Sequence, residues 1–288
     1  MDLAQRFRVP DTGFRLADRD PRDTAGLDEQ EGERRRERDL ERLADLQERL
    51  YAEGTRALLV VLQGLDASGK DGTIKHVMRA VDPQGVTIAA FKQPTTTELA
   101  HDFLWRVDRA LPARGHVGVF NRSHYEEVVT VRVHPDELAA QGIDPARAAD
   151  PTFWNQRLED IAAWERHLVR EGTGVVKFYL NISKEEQRRR FLARVDSERK
   201  LWKFSAGDVA ERRHWDAYQR AYEDALRATS TADAPWYVIP ADHKWFLRTA
   251  VASIVADHIA AMDPRFPLPS DDDLAELREV VEALRAEG

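Results

Sequence analysis

Three features of the sequence predict an α/β fold: a parallel five-stranded sheet with helices on both faces. Short apolar runs of strand length alternate with longer amphipathic stretches, the order that builds parallel sheets from strand–helix–strand units. The first such run, residues 57–62 (ALLVVL), is apolar without interruption, as a strand buried on both faces must be. A glycine-bounded turn over residues 64–70 then leads into a helix whose Ile74, Val77, Met78 and Val81 fall at i, i+3, i+4 and i+7.

The elements follow in order. Residues 1–28 carry Pro, Gly and Asp breakers and read as an irregular arm. Residues 29–53 form an amphipathic helix with Leu40, Leu43, Leu46 and Leu50 as a narrow stripe. Its Arg34, Arg35, Arg36 and Arg38 are interleaved with Glu33, Glu37 and Asp39, the pattern of a solvated face stitched by i,i+4 pairs. Further strands are expected at 86–91 (VTIAAF), 117–120 (VGVF), 175–180 (VVKFYL) and 236–239 (WYVI). Helices are expected at 73–81, 96–111, 152–171, 184–198, 208–227 and 244–262, with an acidic helical tail at 271–287. Trp202, Trp215 and Trp236 read as core side chains. With neither a repeat nor a low-complexity linker, residues 1–288 form one domain, with 1–53 as an N-terminal arm and helix and 264–288 as a C-terminal tail.

Composition narrows the function. Lys and Arg number 43 against 51 Asp and Glu, a formal net charge of −8. Such a chain meets polyanions only through a local basic cluster. Generic nucleic-acid binding is therefore disfavoured, whereas a phosphate-bearing substrate in a specific pocket is not. No apolar run approaches the roughly 20 residues that cross a bilayer, and residues 1–19 lack the apolar centre of a secretion signal. The absence of cysteine removes thiol chemistry and disulfides and sits with a cytoplasmic address.

The strongest motif is Gly64-Leu65-Asp66-Ala67-Ser68-Gly69-Lys70. Strand, G-x-x-x-x-G-K and helix together are the frame of a phosphate-binding loop. The glycines let backbone N–H groups converge on phosphate oxygens, the helix start adds partial positive charge, and Lys70 neutralises the transferring group. The motif calls for Ser or Thr after the lysine to hold Mg²⁺, but Asp71 stands there, followed by Gly72 and Thr73. Asp66, inside the loop, is the candidate metal carboxylate.

The third strand runs into Asn121-Arg122-Ser123-His124-Tyr125-Glu126. An acid for the metal is expected at such a strand end; Asn121 occupies the first polar position, so the role falls to Asp66, helped by Glu126 or Glu127. Arg122 emerges at the carboxyl edge of the sheet, where such folds bind ligands; it contacts phosphate or forms a surface ion pair. His124 is either a ligand contact or an ordinary packed histidine. Residues 187–203 gather Arg188, Arg189, Arg190, Arg194, Arg199, Lys200 and Lys203, with Arg190 and Arg194 at i,i+4. That face is a phosphate clamp or a solvated surface. Lys92, ahead of Pro94, is a nucleotide-phosphate contact or simply exposed.

Taken together, GLDASGKDGTIK, FKQP, FNRSHYEE, EEQRRRFLAR, LWKFSAGD and WDAYQRAYEDAL resemble the polyphosphate kinase 2 family, in the same order from about residue 7 to residue 268. Asn121 and Glu126 match its class III members most. The resemblance implies a P-loop kinase, thymidylate-kinase-like, with a helical lid at 122–150. It also implies Mg²⁺-dependent transfer, with Mn²⁺ substituting, from inorganic polyphosphate to AMP and ADP, giving ADP and ATP. Homo-oligomers, dimers or tetramers, are implied too. Carried over, Asp66, Lys70 and Arg122 are catalytic, and Arg190, Arg194 and Lys203 match phosphate-contacting positions. An ATP-dependent nucleoside monophosphate kinase and a non-catalytic nucleotide-binding switch are the competing readings.

Overall fold

Strand β1 (Ala57–Gln63) is buried at every position and forms the centre of a five-stranded parallel sheet. This computed structural model describes residues 1–202 and 205–287. β1 pairs with β3 (Val117–Asn121) on one side and β4 (Thr173–Asn181) on the other, while β2 (Val86–Ala90) and β5 (Trp236–Pro240) form the edges. The order β2-β3-β1-β4-β5 makes β1 the point where the chain switches direction across the sheet. Ligands of open α/β sheets bind at the carboxyl ends of strands beside such a point.

Alternate β1 side chains serve two cores. Leu58, Val60 and Leu62 pack with helices Glu29–Glu53, Lys70–Val77 and Lys244–Ala261. Leu59 and Val61 pack with helices Glu126–Val133, Pro151–Arg170 and Trp215–Thr229. The unbroken apolar run of β1 follows from this double burial.

Several expectations need correction. The arm is not irregular throughout: Leu3–Phe7 is helical, Phe7 packs edge-on against Phe246, and Arg8 bridges to Tyr237. The arm thereby covers the free edge of β5. The expected helix at 96–111 is two short ones, Thr96–Leu99 and Trp105–Asp108. Between them the Asp102 carboxylate accepts from Leu104 N at 2.9 Å, a local bond that competes with helix. The segment at 208–227 likewise divides into Ala206–Glu211, a 3₁₀ turn Arg212–His214 and Trp215–Thr229. Helix Glu126–Val133 falls within the 122–150 segment where a helical lid was expected, and its Val128, Val129 and Val131 are all buried. Trp236 is core, but Trp202 is 76% exposed, so it is not a core residue.

Candidate active site

The phosphate loop leaves β1 through backbone geometry that side chains resist. Gly64 has φ 148°, and a Cβ there would lie 2.9 Å from Ser68 Oγ and 3.0 Å from the Leu180 carbonyl. Gly69, at φ 116°, caps helix Lys70–Val77. Ala67 also takes positive φ, 62°, a strained state that only its surroundings maintain. Arg190 supplies them. Its Nη1 donates to the carbonyls of Ala67 at 3.0 Å and Ser68 at 2.9 Å, Nη2 donates to those of Ala241 and Asp242, and Nε donates to Glu186 at 2.7 Å. All five guanidinium donors are thus spent. Arg190 braces the loop from the helix that follows β4, while it and Arg194 both line the cavity at the carboxyl edge of the sheet.

Lys70 is buried, its ammonium donating to the carbonyls of Gly64 at 2.6 Å and Leu65 at 3.3 Å. Burial, and then the neighbouring Arg122, lower its pKa to about 8 against the pull of Asp66, Glu126 and Asp71. Ser68 is wholly buried beneath the loop, and its N–H donates to Leu65 O at 3.1 Å. The Thr73 hydroxyl turns back to the Gly69 carbonyl at 3.1 Å, so it is engaged in its own helix. The first N–H groups of that helix have no intrahelical acceptor, which leaves them to meet an anion.

Arg122 takes φ 88° at the end of β3, a turn that swings its guanidinium across to the loop. There it donates to Asp66 at 2.5 Å, and lies 3.7 Å from Glu126. Although burial opposes its charge, Glu126 and Asp66 outweigh it and raise the pKa further. Asn121 donates to Asp71 at 2.9 Å, and the Thr130 hydroxyl donates to Glu126 at 2.6 Å.

These groups line a cavity of about 820 Å³ at the carboxyl edge of the sheet, where nine lysines and arginines face five acids. That excess stands against a chain net charge of −8, and a cleft with an excess of one sign concentrates ligands of the other. Lys92 is exposed at the cavity, Gly72 lines it, and Arg194 reaches it while 3.4 Å from Asp208. Lys203 lies outside the described residues.

His124 is not at the site. It is fully buried beside Tyr125 and Trp164, 3.4 Å from Glu165, with burial depressing its pKa. Its neighbours form a charged network missed in the sequence: Lys177 donates to Glu165, to Tyr125 Oη at 3.1 Å and to Thr229 O at 2.7 Å. Glu127, on the cavity wall, has its carboxylate engaged by Arg106 at 3.1 Å and Gln141 at 2.7 Å, with Arg157 3.7 Å away. Four charged cavity residues escaped the sequence reading. Arg106 was hidden in the broken helix, and Glu137 in the region assigned to a lid. Lys244 and Arg248 stand at i,i+4 where β5's helix begins, a placement that could have identified them. Asp208 was also missed; it lies with Asp66 and Arg122 around a second cavity of about 30 Å³, its pKa raised by burial and by Asp66.

Among the described residues no group of three or more His, Asp or Glu could hold a metal by itself. Asp66 and Asp71 are hard oxygen donors beside the loop, and such sets suit Mg²⁺, which keeps waters and shares substrate phosphates.

Comparison with known proteins gives one consistent result. The family model for polyphosphate kinase 2 matches residues 26–267. An ADP-polyphosphate phosphotransferase from Rhodopseudomonas palustris is 49% identical over 228 residues, 79% of each chain. An AMP/ADP-polyphosphate phosphotransferase from Meiothermus ruber is 45% identical over 271 residues, 92% of this chain and 96% of that one. The crystal structure of polyphosphate kinase 2 from Arthrobacter aurescens superposes with a TM-score of 0.89 at 43% identity, covering 98% of this chain and 97% of that one.

Proposed function

This chain belongs to the polyphosphate kinase 2 family, and from that premise we propose that its basic cavity brings together polyphosphate and a nucleotide, AMP or ADP. The chain is a polyphosphate-dependent phosphotransferase. The observation that carries the site assignment is the phosphate loop with buried Lys70 facing Arg122 inside one cation-rich cavity.

Both substrates are polyanions, so their mutual repulsion is the main obstacle to contact. Lys70 and Arg122 offset it from two sides of the loop, acting where charge accumulates during transfer. Arg190 keeps the loop carbonyls turned away, which leaves the loop's amides free to point toward phosphate. Arg194 and Lys92 supply further positive charge at the cavity. An acceptor phosphate oxygen attacks the terminal phosphorus of the chain in line. The bond from that phosphorus to its bridging oxygen breaks, and the electron pair stays on the shortened chain. An oxygen already ionised near pH 7 gives up no proton. Asp66, with Asp71, would hold Mg²⁺, which supplies charge neutralisation and orientation when bound; Mn²⁺ would substitute.

In this reading the enzyme is cytoplasmic and works as a homo-oligomer, dimer or tetramer, which light scattering on the purified chain tests. The decisive assay supplies AMP, Mg²⁺ and long-chain polyphosphate without ATP. Accumulation of ADP and then ATP supports the proposal. Absence of both products from a folded protein refutes it.

A further inference from the structure

β1 is apolar from Ala57 to Leu62 and then ends in Gln63, which is wholly buried. A buried primary amide destabilises the fold unless its oxygen and both N–H groups find partners. Gln63 directly precedes Gly64, the first residue of the phosphate loop, and its amide faces the turn after β3. One end lies 3.2 Å from Ser123 N and 3.1 Å from Ser123 Oγ, and the other lies 3.0 Å from Glu126 Oε1 and 3.3 Å from Tyr222 Oη. These neighbours determine which end is oxygen. With its oxygen toward Ser123, Gln63 accepts from the Ser123 N–H while its NH2 donates to the Glu126 carboxylate. The reverse orientation would set oxygen against oxygen at Glu126 and N–H against N–H at Ser123.

The consequence is felt at Glu126. Its Oε1 accepts from Gln63 at 3.0 Å and its Oε2 accepts from the Thr130 hydroxyl at 2.6 Å, so both oxygens are held. Thr130 belongs to the same helix as Glu126 and cannot place that helix against the loop. Gln63 can, because it is the last residue of β1. The carboxylate fixed in this way lies 3.7 Å from Arg122, whose other acidic partner is Asp66 in the loop. Glutamine meets Ser123 and Glu126 together without adding charge. Glutamate would set a second carboxylate 3.0 Å from Glu126, a like-charge contact that disfavours ionisation of both. Methionine, of similar length, would meet neither neighbour.

We propose that Gln63 is a positioning residue for the transfer: it fixes the Glu126 carboxylate, and through it Arg122, relative to the phosphate loop. It thereby sets how deep the acceptor phosphate settles. The inference rests on the phosphotransferase reading of the same site, whose cavity both Arg122 and Glu126 line. Gln63 itself touches no substrate; it acts through Glu126.

The test compares Gln63→Met and Gln63→Glu, each alone and combined with Glu126→Ala, by initial rates with AMP and with ADP at saturating polyphosphate. Thermal melts establish folding. Gln63→Met alone should lower kcat/KM for the acceptor about tenfold, the low end for a hydrogen bond to a charged group, with AMP affected more than ADP. In the Glu126→Ala background the same change should lower it less than about twofold, because the group it acts through is gone. Gln63→Glu should approach wild-type rates at acid pH and fall away from them as pH rises, since a proton shared by two carboxylates restores the missing donor. The other titratable groups that act on Glu126, namely Arg122, Lys70, Glu127, Tyr218 and Tyr222, are unchanged in these variants, and the pH limb should vanish with Glu126→Ala. Equal losses from Gln63→Met in both backgrounds, or none in either, overturn the proposal and leave the phosphotransferase assignment standing. If Gln63→Met does not fold, the pH limb decides: its absence, or its survival in Glu126→Ala, overturns the proposal. A folded wild-type protein that transfers nothing from polyphosphate overturns both readings.

Discussion

Asn121 donates a hydrogen bond to Asp71 across 2.9 Å, joining the end of β3 to the position after the loop lysine. Each residue departs from the motif on its own strand or helix, and the structure makes them a complementary pair. Aspartate at 121 would face Asp71 with a second negative charge at that separation, which disfavours the doubly ionised state.

Asn121→Asp is therefore expected to lower turnover at least tenfold at low Mg²⁺ and to recover partly as Mg²⁺ is raised, because a cation can replace the lost donor. Asn121→Ala loses only the hydrogen bond and should show no such recovery. Initial rates across a Mg²⁺ titration separate the two. Identical titration curves would show that the carboxylate spacing is irrelevant.

Acceptor choice is expected to follow the same corner of the site. Asn121→Asp and Glu126→Asn should each reduce AMP use more than ADP use, since Glu126 lies 3.7 Å from Arg122 and helps set how deep an acceptor phosphate settles. Initial rates with each acceptor at saturating polyphosphate are the measurement. Equal losses on both acceptors would sever specificity from these residues.

Lys70→Ala should cut turnover at least 10²-fold, the scale for removing one preorganised electrostatic group. The wild type should also show a pH signature. With its pKa lowered to about 8, the empty enzyme loses the Lys70 charge as pH rises through that value. kcat/KM for polyphosphate should consequently fall above pH 8, whereas kcat, read with phosphate bound and the charge favoured, should fall later. Lys70→Arg should remove the basic limb from any residual activity. Linkage runs the other way for folding: the unfolded chain binds the extra proton between pH 8 and the ordinary lysine value, so this group alone makes stability rise there.

Arg190 and Arg194 should part company. Arg190→Ala frees the carbonyls of Ala67 and Ser68 and should lower both kcat and the melting temperature; lysine, with three donors, should not rescue it. Arg194→Ala should mainly raise KM for polyphosphate with little change in melting. Matching kinetic and thermal profiles for the two variants would contradict the bracing role of Arg190.

The buried pair of Lys177 and Glu165 should be felt in stability. Glu165→Gln leaves the Lys177 charge without its partner in the core, a change of about 3–5 kcal/mol, or roughly 10 °C in a chain of this size. Lys177→Met/Glu165→Gln should melt higher than Glu165→Gln alone. If the single change proves harmless, the network is not holding the turn after β3.

The sequence by itself determined the layering and the chemistry of the loop. The apolar run at β1, the helical period after Lys70 and the glycines at 64 and 69 are local patterns, and local sterics and burial read them directly. Arg122 and Asp66 could be nominated the same way, each from its own motif. What the tertiary structure alone decided is which side chains are committed elsewhere. Arg190 and Arg194 look alike four residues apart, yet only Arg190 meets the Ala67 and Ser68 carbonyls, because the loop crosses above one turn of that helix. His124 follows Arg122 by two residues, yet the positive φ at Arg122 turns the chain so that His124 enters the core. Arg248, distant in sequence, reaches the cavity because β5 ends beside the loop. Those outcomes depend on contacts between residues tens to more than a hundred positions apart, and no local pattern carries them.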